Sequence, residues 1–465
     1  MKRPLGLALY NTQSRGLQNI AAADGNTVRI YCCGPTVYRD AHVGNLRTFM
    51  LSDLVARAIR EAGFDVLLVQ NITDVGHMSD DFEDKMLEQA GKENKDPFAI
   101  AREYESRFHK DLALLNISPA DLYPRASETI DLMQELITDL IAKGSAYVGS
   151  DNSVYFAAET FASYGAISGN RLDALKPGHR YEYTDDGGKR FHADWALWKT
   201  AGSRTQMIWP SPWGNGFPGW HIECSAMSLK FLGGHVDLHI GGIDLRFPHH
   251  ENERAQSNAA TGEEVVDHWL HGEHLLFEGR KMSKSSGNVV LLSDLIARGF
   301  DPLSLRLTFL ENRYRNQMDL TWDALKAADS TLKRWRLKMK EWDYLQEDIC
   351  DEIEFIYRDF FEAINNDLDT PRVLQLLRKV EKAQDVSDRA KRSFFLFADR
   401  ILGLDLGVEV EILDLSPEMI DLLELRATAR ANKDFATSDQ LRDRLLELGI
   451  EVQDSPEGQK WTRVI

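Results

Sequence analysis

Residues 30–47, IYCCGPTVYRDAHVGNLR, decide the fold of this chain. They predict a short apolar strand, a turn marked by glycine and proline, and a loop that leads into a helix with a 3.6-residue apolar period. A second apolar run at 65–70 predicts the next strand. Strand, glycine turn, helix and strand in this order are typical of a doubly wound parallel sheet, whose ligands bind beyond the carboxyl ends of the strands. We therefore expect four polar residues to gather at that edge: Cys33, His42, Asn45 and Thr73.

Length and composition predict a cytoplasmic protein of several domains. With a typical domain size of about 150 residues, 465 residues correspond to roughly three domains. No apolar run reaches the ~18 residues of a membrane span, and the amino terminus lacks the cleavage site of a secretory signal. Four cysteines are too few and too irregularly spaced for a disulfide framework, so reduced thiols are expected.

The net charge of −18 argues against a general polyanion-binding surface. Any contact with nucleic acid must therefore use local basic patches. One such patch lies on the predicted helix after Thr321 and contains Lys333, Arg334, Arg336, Lys338 and Lys340. A solvated helix face is the simpler interpretation of any one of these residues.

The turn His42-Val43-Gly44-Asn45 has the composition of an anion-binding site. Glycine lets the backbone approach a ligand closely, and the start of the following helix offers unpaired N–H groups. Histidine and asparagine side chains donate hydrogen bonds to phosphate oxygens. Taken alone, however, four residues of this kind favour a simple capped turn between a strand and a helix.

The segment KMSKS at 281–285 places two lysines and two hydroxyls in a glycine-flanked loop. Such a loop closes on a polyphosphate and balances the charge that builds on pyrophosphate as it leaves. Basic loops rich in serine and glycine are also common as solvated surface loops. The presence of His42 and Asn45 in the same chain favours phosphate binding.

The segment HHENE at 249–253 offers nitrogen and oxygen ligands for a metal ion. Residues four apart share a helix face, so His249 and Glu253 can point at one centre, with Cys33 and Cys224 as soft ligands. Zinc accepts this mixture of sulfur, nitrogen and oxygen. His250 with Glu253 would serve almost as well, so the spacing alone leaves both the metal and the choice of histidine open.

Together these motifs resemble those of the cysteinyl-tRNA synthetases, a family of class I aminoacyl-tRNA synthetases. YCCGPTVYRDAHVGN at 31–45 resembles the family's HIGH region, and GRKMSKSSGN at 279–288 resembles its KMSKS loop. GWHIECSAM at 219–227 and DLHIGGIDLRFPHHENE at 237–253 resemble its zinc-site segments. PRASETI, SPWG, DTP and the tail RATARANKDFATSDQLRDRLLELGI match as well, so the resemblance covers almost the whole chain.

The resemblance implies an ATP-dependent ligase, a monomer, that joins L-cysteine to tRNA(Cys). In the implied reaction the cysteine carboxylate attacks the α-phosphorus of Mg-ATP, and the terminal adenosine hydroxyl of the tRNA then attacks the carbonyl carbon of the adenylate. Zn²⁺ is implied as a bound cofactor, and Mg²⁺ accompanies ATP as substrate. Positioning and charge stabilisation would dominate such a reaction. The implied catalytic residues are His42, Asn45, Lys281 and Lys284.

The resemblance also implies the binding residues. Zinc would be held by Cys33, Cys224, His249 and Glu253. It would bind the substrate thiolate, which zinc prefers strongly to the hydroxyl of serine. Because adjacent strand residues point to opposite faces, Cys33 rather than Cys32 is expected to reach the metal. The cysteine pocket would be lined by Thr73, Trp220 and Cys33. The ATP site would contain Gly44, Gly242, Asp244, Ser283, Lys284 and Ser285.

The expected fold is α/β: a Rossmann-type nucleotide-binding domain with a parallel sheet, split by an insertion and followed by a helical bundle and a small mixed α/β carboxy-terminal domain. The Rossmann halves are predicted at 1–123 and 206–266, and the insertion at 124–205. The KMSKS loop and a stem-contact region are predicted at 267–321, a helical tRNA-binding bundle at 322–404 and an anticodon-binding domain at 415–465.

Four features depart from the family pattern. Asn45 ends the HIGH motif in place of histidine, Ile240 stands where glycine is frequent, Phe217 stands where arginine is frequent, and the segment after Thr73 carries an insertion. These departures concern detailed geometry rather than the reaction. Two alternatives are a cysteine ligase that acts on a small aminosugar and a non-catalytic tRNA-binding paralogue. The first would lack the long chain after Thr321 and the second would have lost phosphate-loop or zinc residues, and this sequence retains both features.

Overall fold

The computed structural model describes residues 3–75, 84–175, 188–282, 288–342, 353–408, 416–448, 450–455 and 458–463. The chain divides into two compact units, Met1–Gly407 and Val408–Ile465. Three residues predicted to bind ATP, Ser283, Lys284 and Ser285, lie outside the described residues, as does the insertion at 76–82.

The first unit alternates strands and helices along most of its length. Its strands are β1 (Arg3–Asn11), β2 (Gly16–Ala22), β3 (Thr27–Cys32), β4 (Asp65–Gln70), β5 (Ala146–Val148), β6 (Val154–Phe156), β7 (Trp195–Thr200), β8 (Gly216–Pro218), β9 (Leu238–Gly242), β10 (Trp269–Gly272), β11 (Leu275–Phe277), β12 (Arg280–Lys281) and β13 (Met318–Leu320). Its α-helices are α1 (Val43–Glu61), α2 (Lys85–Glu93), α3 (Pro97–Leu114), α4 (Ile130–Ala142), α5 (Trp220–Phe231), α6 (Glu251–Thr261), α7 (Leu292–Ala297), α8 (Pro302–Leu310), α9 (Trp322–Glu341), α10 (Glu354–Asn365), α11 (Thr370–Lys382) and α12 (Asp388–Leu402). None of the described helices combines the length and the apolar character that a bilayer crossing requires.

The central sheet is parallel throughout, with the strand order β10-β9-β3-β4. Within the sheet, β4 is the neighbour of β3 on one side. Strand β9, which follows much later in the chain, is its neighbour on the other side. The strand order therefore reverses between β3 and β9, and ligands of such sheets bind at this reversal, beyond the carboxyl ends of the strands. The predicted Rossmann-type sheet is confirmed, and Cys33 lies directly beyond the end of β3.

Helix α1 begins in the HIGH-like turn with a reciprocal cap. His42 is the N-cap residue: its Nδ1 accepts the backbone N–H of Asn45 at 3.3 Å, and the Asn45 Oδ1 accepts the backbone N–H of His42 at 3.3 Å. This is a capping box, which satisfies two backbone donors that a helix start leaves unpaired. Gly44 and Asn45 thus belong to the first helical turn rather than to the predicted loop, because the cap starts the helix earlier.

A second sheet interrupts the Rossmann domain between β4 and β9. It is antiparallel, with the order β5-β6-β7-β8, and its middle is filled by apolar side chains such as Phe156 and Trp195, whose rings stack at 4.5 Å. An inserted region is therefore present. Because β8 pairs with β7, this sheet crosses the predicted boundary at 205. The other domain boundaries within the first unit stay predictions.

A buried arginine ties the last helices of the first unit to its sheet domain. The Arg306 side chain on α8 donates to Asp53 Oδ2 on α1 and to the backbone oxygen of Leu402, each at 2.6 Å, and to the oxygen of Leu115 at 3.0 Å. Burial raises the pKa of Asp53, but Arg306 and Arg57 outweigh it and lower that pKa below its ordinary value. Removing one partner of such a buried pair leaves the other charge buried without a partner, which is strongly unfavourable. The pair therefore fixes how α8 packs against α1.

The basic residues predicted on α9 take part in several ion pairs. Arg334 pairs with Glu381 at 2.7 Å, and the half-buried Arg336 pairs with Asp301. Arg336 also donates to the backbone oxygen of Leu404 at 3.1 Å. Arg336 therefore holds the end of the first unit, and a role in binding phosphate stays a prediction for this face.

The second unit is a helix pair followed by a hairpin, which fits the small mixed α/β domain predicted from the sequence. It comprises α13 (Pro417–Ala431), α14 (Phe435–Glu447) and the antiparallel strands β14 (Ile450–Ser455) and β15 (Gly458–Arg463). Ser416 caps α13 and Asp434 caps α14, each through its side-chain oxygen. Leu423, Leu445, Ile450 and Val452 form a small apolar core in this unit. The buried Arg426 guanidinium donates to Asp454 and to Gln459.

Candidate active site and metal centre

A cavity of about 360 Å³ lies beyond the carboxyl ends of the central strands. Eight of the predicted site residues line it: Cys33, His42, Gly44, Asn45, Trp220, Gly242, Asp244 and Lys281. Four others, Thr73, Cys224, His249 and Glu253, are at most 2% exposed. The described part of the predicted site thus divides into an open cavity and a buried cluster, and Cys33 belongs to both.

His42 enters the cavity as a neutral hydrogen-bond donor. Its Nδ1 accepts the N–H of Asn45, so the proton of the neutral ring must be on Nε2. Burial, with a smaller contribution from the Arg39 charge, lowers the pKa of His42 to about 4, although Asp244 opposes this change. The Nε2–H group can therefore donate to an anionic ligand, but the ring carries no charge at neutral pH.

The end of β9 passes close to the ligand cavity because it has no side chain there. A Cβ atom on Gly242 would lie 2.4 Å from Oδ1 of Asp244 and 3.6 Å from the hydroxyl oxygen of Thr48 on α1. The first contact is too short for a Cβ atom, so a side chain at this position would displace the Asp244 carboxylate. Gly242 thus allows the Asp244 carboxylate to stand at the cavity wall.

Four donor atoms converge in the buried cluster next to the cavity. One ligand atom each from Cys33, Cys224, His249 and Glu253 lies within 4.8 Å of all the others. The two sulfur atoms are 4.0 Å apart, Cys33 Sγ is 3.6 Å from Glu253 Oε1, and His249 Nε2 is 3.0 Å from the same oxygen. Two sulfurs, one nitrogen and one oxygen form a donor set that suits zinc.

The charges of this cluster also suit a divalent cation. Although burial raises the pKa of the Cys224 thiol, the hydrogen bond from Cys33 lowers it to about 6. Burial likewise opposes ionisation of Glu253, but His239 and His249 hold the Glu253 pKa well below its ordinary value. The pKa directions of Cys224 and Glu253 thus favour the deprotonated forms in which a thiol and a carboxyl group bind a metal ion.

A second donor set overlaps the first. Cys33, His239, His250 and Glu253 also offer atoms within 4.8 Å of one another. His250 Nε2 lies 3.3 Å from Cys33 Sγ, and His239 Nε2 lies 3.0 Å from Glu253 Oε2. The ambiguity between His249 and His250 in the sequence thus persists in the structure, because each histidine has a ring nitrogen close to Cys33 and Glu253.

Each of the two competing histidines is held by another histidine. His221 Nδ1 lies 2.8 Å from His249 Nδ1, and His271 Nε2 lies 2.8 Å from His250 Nδ1. The hydroxyl of Thr12 completes the second pair, 2.8 Å from His271 Nδ1. Such contacts fix the orientation of a ligating imidazole. Sequence reasoning missed the roles of His221, His239 and His271, although the first two lie within the quoted zinc-site segments.

The predicted cysteine pocket is supported by a buried carboxyl group, that of Glu223, which the sequence did not indicate. The Thr73 hydroxyl donates to Glu223 Oε2 at 2.9 Å and accepts from the Asn71 amide at 3.1 Å. Burial, followed by the neighbouring Cys224, raises the pKa of Glu223 well above its ordinary value. Trp220 lies at the other edge of the cluster, where its ring centre is 4.2 Å from that of His249. Thr73 and Trp220 therefore both flank the donor atoms.

Cys32 points away from the cluster, as the alternation of a strand predicts. Its sulfur accepts from the Gln70 amide at 3.6 Å, and burial raises the pKa of its thiol to about 12. A thiol in this state is a poor metal ligand. The prediction that Cys33 rather than Cys32 faces the donor set is consistent with this geometry.

Two departures from the family pattern acquire a physical explanation. Ile240 is fully buried in β9, where it pairs with Cys32 of β3. The ring of Phe217 supports the guanidinium of Arg204 at 4.1 Å, and Arg204 pairs with Asp84 at 2.6 Å. Asp84 is the N-cap of α2. A cation from elsewhere in the chain thus stands over the position where arginine was expected.

This chain is similar to known proteins over most of its length. Residues 19–330 match the tRNA synthetases class I (C) catalytic domain, and residues 413–461 match the cysteinyl-tRNA ligase anticodon binding domain. A cysteine–tRNA ligase of Thermus thermophilus is 40% identical over 482 residues, which cover 98% of this chain and 99% of that protein. The cysteine–tRNA ligase of Treponema denticola is 35% identical over 499 residues, covering 99% of this chain and 100% of that protein.

Solved structures of more distant proteins share the fold. A Mycobacterium tuberculosis methionyl-tRNA synthetase in complex with methionyl-adenylate has a TM-score of 0.56 and 16% identity, and the match covers 89% of this chain and 96% of that one. A ternary complex of Agrobacterium radiobacter K84 agnB2 LeuRS has a TM-score of 0.58 and 10% identity, covering 83% and 84% of the two chains. At these identities the likeness concerns the fold alone.

Proposed function

This chain belongs to the cysteinyl-tRNA synthetase family, and from that premise we propose how its residues share the work of joining L-cysteine to tRNA. The relatives named cysteine–tRNA ligase match the chain over nearly its full length, and the carboxy-terminal residues match an anticodon-binding domain. The chain is accordingly a ligase that uses ATP, L-cysteine and tRNA. A ligase for a small aminosugar would have no use for the anticodon-binding region.

We propose that the buried cluster holds one zinc ion through Cys33, Cys224, His249 and Glu253. The observation that carries this proposal is the convergence of two sulfurs, a nitrogen and an oxygen within 4.8 Å at the inner edge of the cavity. This set is preferred to the overlapping one with His239 and His250 because it contains two sulfurs, those of Cys33 and Cys224, whereas the other set contains one, and sulfur is the softest donor available. His250 and His239 then act as neighbours that orient Cys33 and Glu253.

Selection of cysteine over serine is the reason for a metal at this place. The two amino acids differ by sulfur and oxygen, and a pocket that judges shape alone separates near-isosteres by a few kcal/mol at most. Zinc, when bound, supplies a soft Lewis-acidic centre that prefers a thiolate to a hydroxyl. Thr73, oriented by Asn71 and Glu223, and Trp220 would hold the rest of the amino acid beside it.

The polar residues of the cavity are proposed to bind ATP, which enters with Mg²⁺ as part of the substrate. His42 donates through Nε2–H to a phosphate oxygen, while Asn45 holds the imidazole in the tautomer that makes this possible. Gly44 and Gly242 keep the backbone close to the nucleotide, and Asp244 lies at the wall near its adenosine. The Lys281 ammonium balances the negative charge of pyrophosphate as it leaves.

The segment after Met282 is proposed to complete the ATP site. Ser283, Lys284 and Ser285 are proposed to close over the triphosphate, which rests on the sequence because they lie outside the described residues. The transfer step needs the tRNA acceptor end to reach the same cavity, so the carbonyl carbon of the adenylate must be presented there. The monomeric state, the cytoplasmic location and the roles of the basic residues on α9 stay predictions.

The test is an assay of the purified full-length protein with each of the standard amino acids. ATP–pyrophosphate exchange is expected with cysteine and not with serine, and total tRNA is expected to accept cysteine alone. Metal content is measured in parallel, with about one zinc ion per chain as the expected result. Exchange with serine at the rate of cysteine would contradict the proposed selection by zinc.

A further inference from the structure

Arg39 lines the cavity but has no role in the function proposed above. Arg39 lies between the strand that ends at Cys33 and the start of α1, is half-buried, and lines the same cavity as His42 and Lys281. Its guanidinium carbon lies 5.1 Å from the ring centre of Tyr38, a distance at which a cation is attracted to an aromatic face. The ring therefore supports the guanidinium at the cavity wall.

The nearest carboxylate in sequence does not neutralise this charge. Asp40 is engaged by Arg107 of α3, with Oδ2 3.2 Å from the arginine nitrogen, and Arg107 also binds Glu103. Within the described ranges, no carboxylate forms an ion pair with Arg39. A half-buried guanidinium of this kind favours an anionic ligand, because a planar fork of donors matches phosphate oxygens.

The HIGH-like motif itself contributes no positive charge. Asn45 carries an amide where the family pattern has a histidine, and its Oδ1 is used as a backbone cap. His42 accepts through Nδ1 and therefore faces the cavity as a neutral donor. Since the phosphates of ATP are strongly anionic, the cations that balance them must come from other residues of the cavity.

We propose that Arg39, supported by the ring of Tyr38, binds the triphosphate of ATP and the pyrophosphate that leaves, and so supplies the charge that the Asn45-ending motif lacks. Lys85, whose ammonium lies 5.9 Å from the same ring centre, lines this part of the cavity as well. The inference rests on the proposed function, because it assigns a residue to the ATP site. ATP is favoured over a tRNA phosphate because Arg39 shares its cavity with His42, Gly44 and Lys281.

The experiment compares Arg39→Gln and Arg39→Lys with the wild type in cysteine-dependent ATP–pyrophosphate exchange without tRNA. Arg39→Gln is expected to raise both KM for ATP and KM for pyrophosphate by roughly ten-fold or more, as befits a lost hydrogen bond between charged groups. KM for cysteine is expected to stay unchanged. Arg39→Lys keeps the charge without the fork and is expected to recover part of the loss. Arg60→Gln, an exposed arginine at the end of α1, is the matched control.

Three results would overturn the inference. An unchanged KM for ATP in Arg39→Gln would make Arg39 a solvated side chain. In a parallel aminoacylation assay, an effect confined to KM for tRNA would make it a tRNA contact. A parallel loss of affinity for ATP and cysteine, with no recovery in Arg39→Lys, would make its role structural. In each case the wild type remains active, so the proposed function stands. A wild type without cysteine-dependent exchange would instead remove the proposed function.

Discussion

The sulfur atoms of Cys33 and Cys224 lie 4.0 Å apart although 191 positions separate the two residues in the chain. One follows the first strand of the parallel sheet and the other lies on the helix that precedes β9. The reversal of strand order between β3 and β9 brings these two segments to the same edge. The fold thus assembles the donor set from two halves of a domain that the inserted sheet separates.

Replacement of Cys224 by serine is expected to abolish zinc binding. The change removes a soft ligand and leaves a hydroxyl that does not ionise at neutral pH, so both zinc content and cysteine-dependent exchange should fall, the latter by more than about 100-fold. Elemental analysis and ATP–pyrophosphate exchange measure the two effects. Cys32→Ser is the matched control, because Cys32 is equally buried but turned towards Gln70. Normal zinc content in Cys224→Ser would contradict the metal assignment.

The two histidines that compete for the metal can be separated by alanine substitution. His249→Ala is expected to lose zinc outright. His250→Ala should retain it with an affinity reduced by about 10- to 100-fold, since a residue that orients ligands has an effect of that size. Competition with a chelator, followed by elemental analysis, measures both variants. If His250→Ala loses the metal and His249→Ala keeps it, the set that contains His239 and His250 is the correct one.

A methyl group on Gly44 should separate activity from stability. Alanine is favoured over glycine inside a helix by about 1 kcal/mol, so Gly44→Ala is expected to leave the melting temperature unchanged or slightly raised. Its Cβ, however, would lie 3.0 Å from the His42 ring and 2.9 Å from the terminal carbon of Met282. Displacement of the imidazole should lower kcat for cysteine activation by about ten-fold or more. Full activity would show that the HIGH-like turn tolerates a side chain.

Local patterns allowed much of this fold to be predicted from the sequence. The strand, turn and helix around Cys33 and the mixed α/β character of the second unit both depend on short-range signals such as apolar period and capping side chains. The exception is the start of α1, where the side chains of His42 and Asn45 cap each other and bring Gly44 into the helix.

Contacts between distant segments could not be predicted in the same way. The pairing of His221 with His249, the support of Thr73 by Glu223 and the position of Arg204 over Phe217 each join residues whose spacing carries no period. From the spacing alone His250 serves almost as well as His249, and the structure retains both because each has a ring nitrogen close to Cys33 and Glu253. Their separation requires the substitutions described above.

An ion pair outside the site predicts a pH-dependent part of the stability. Asp237 and then Asp267, 3.4 Å and 3.2 Å from the His235 Nε2 atom, raise the pKa of His235 to about 9. Because the folded-state pKa exceeds the ordinary value of 6.5, this contribution is complete below about pH 6.5 and is lost as the pH rises through 9.

The comparison with His235→Gln tests that ion pair. Wild type should be more stable to urea than the variant by about 1 kcal/mol at about pH 6, after allowance for solvent screening, and the difference should vanish at about pH 10. Asp237 keeps two backbone hydrogen bonds, from Ala23 and Arg29, in both proteins, so the variant is expected to fold. A stability difference that does not depend on pH would contradict the assignment of this pair.

Removal of the second unit should separate amino-acid activation from transfer. The cut belongs after Gly407, because Leu404 and Leu406 are fully buried in the first unit and their N–H groups donate to Asp399. The truncated protein is expected to keep cysteine-dependent exchange close to that of the full chain. Its kcat/KM for aminoacylation should fall by at least about 100-fold, which corresponds to roughly 3 kcal/mol of lost tRNA binding.

A cut after Gly403, which removes the two buried leucines, is the control and should destabilise the first unit. Equal loss of exchange and aminoacylation after the cut at Gly407 would refute this division of labour.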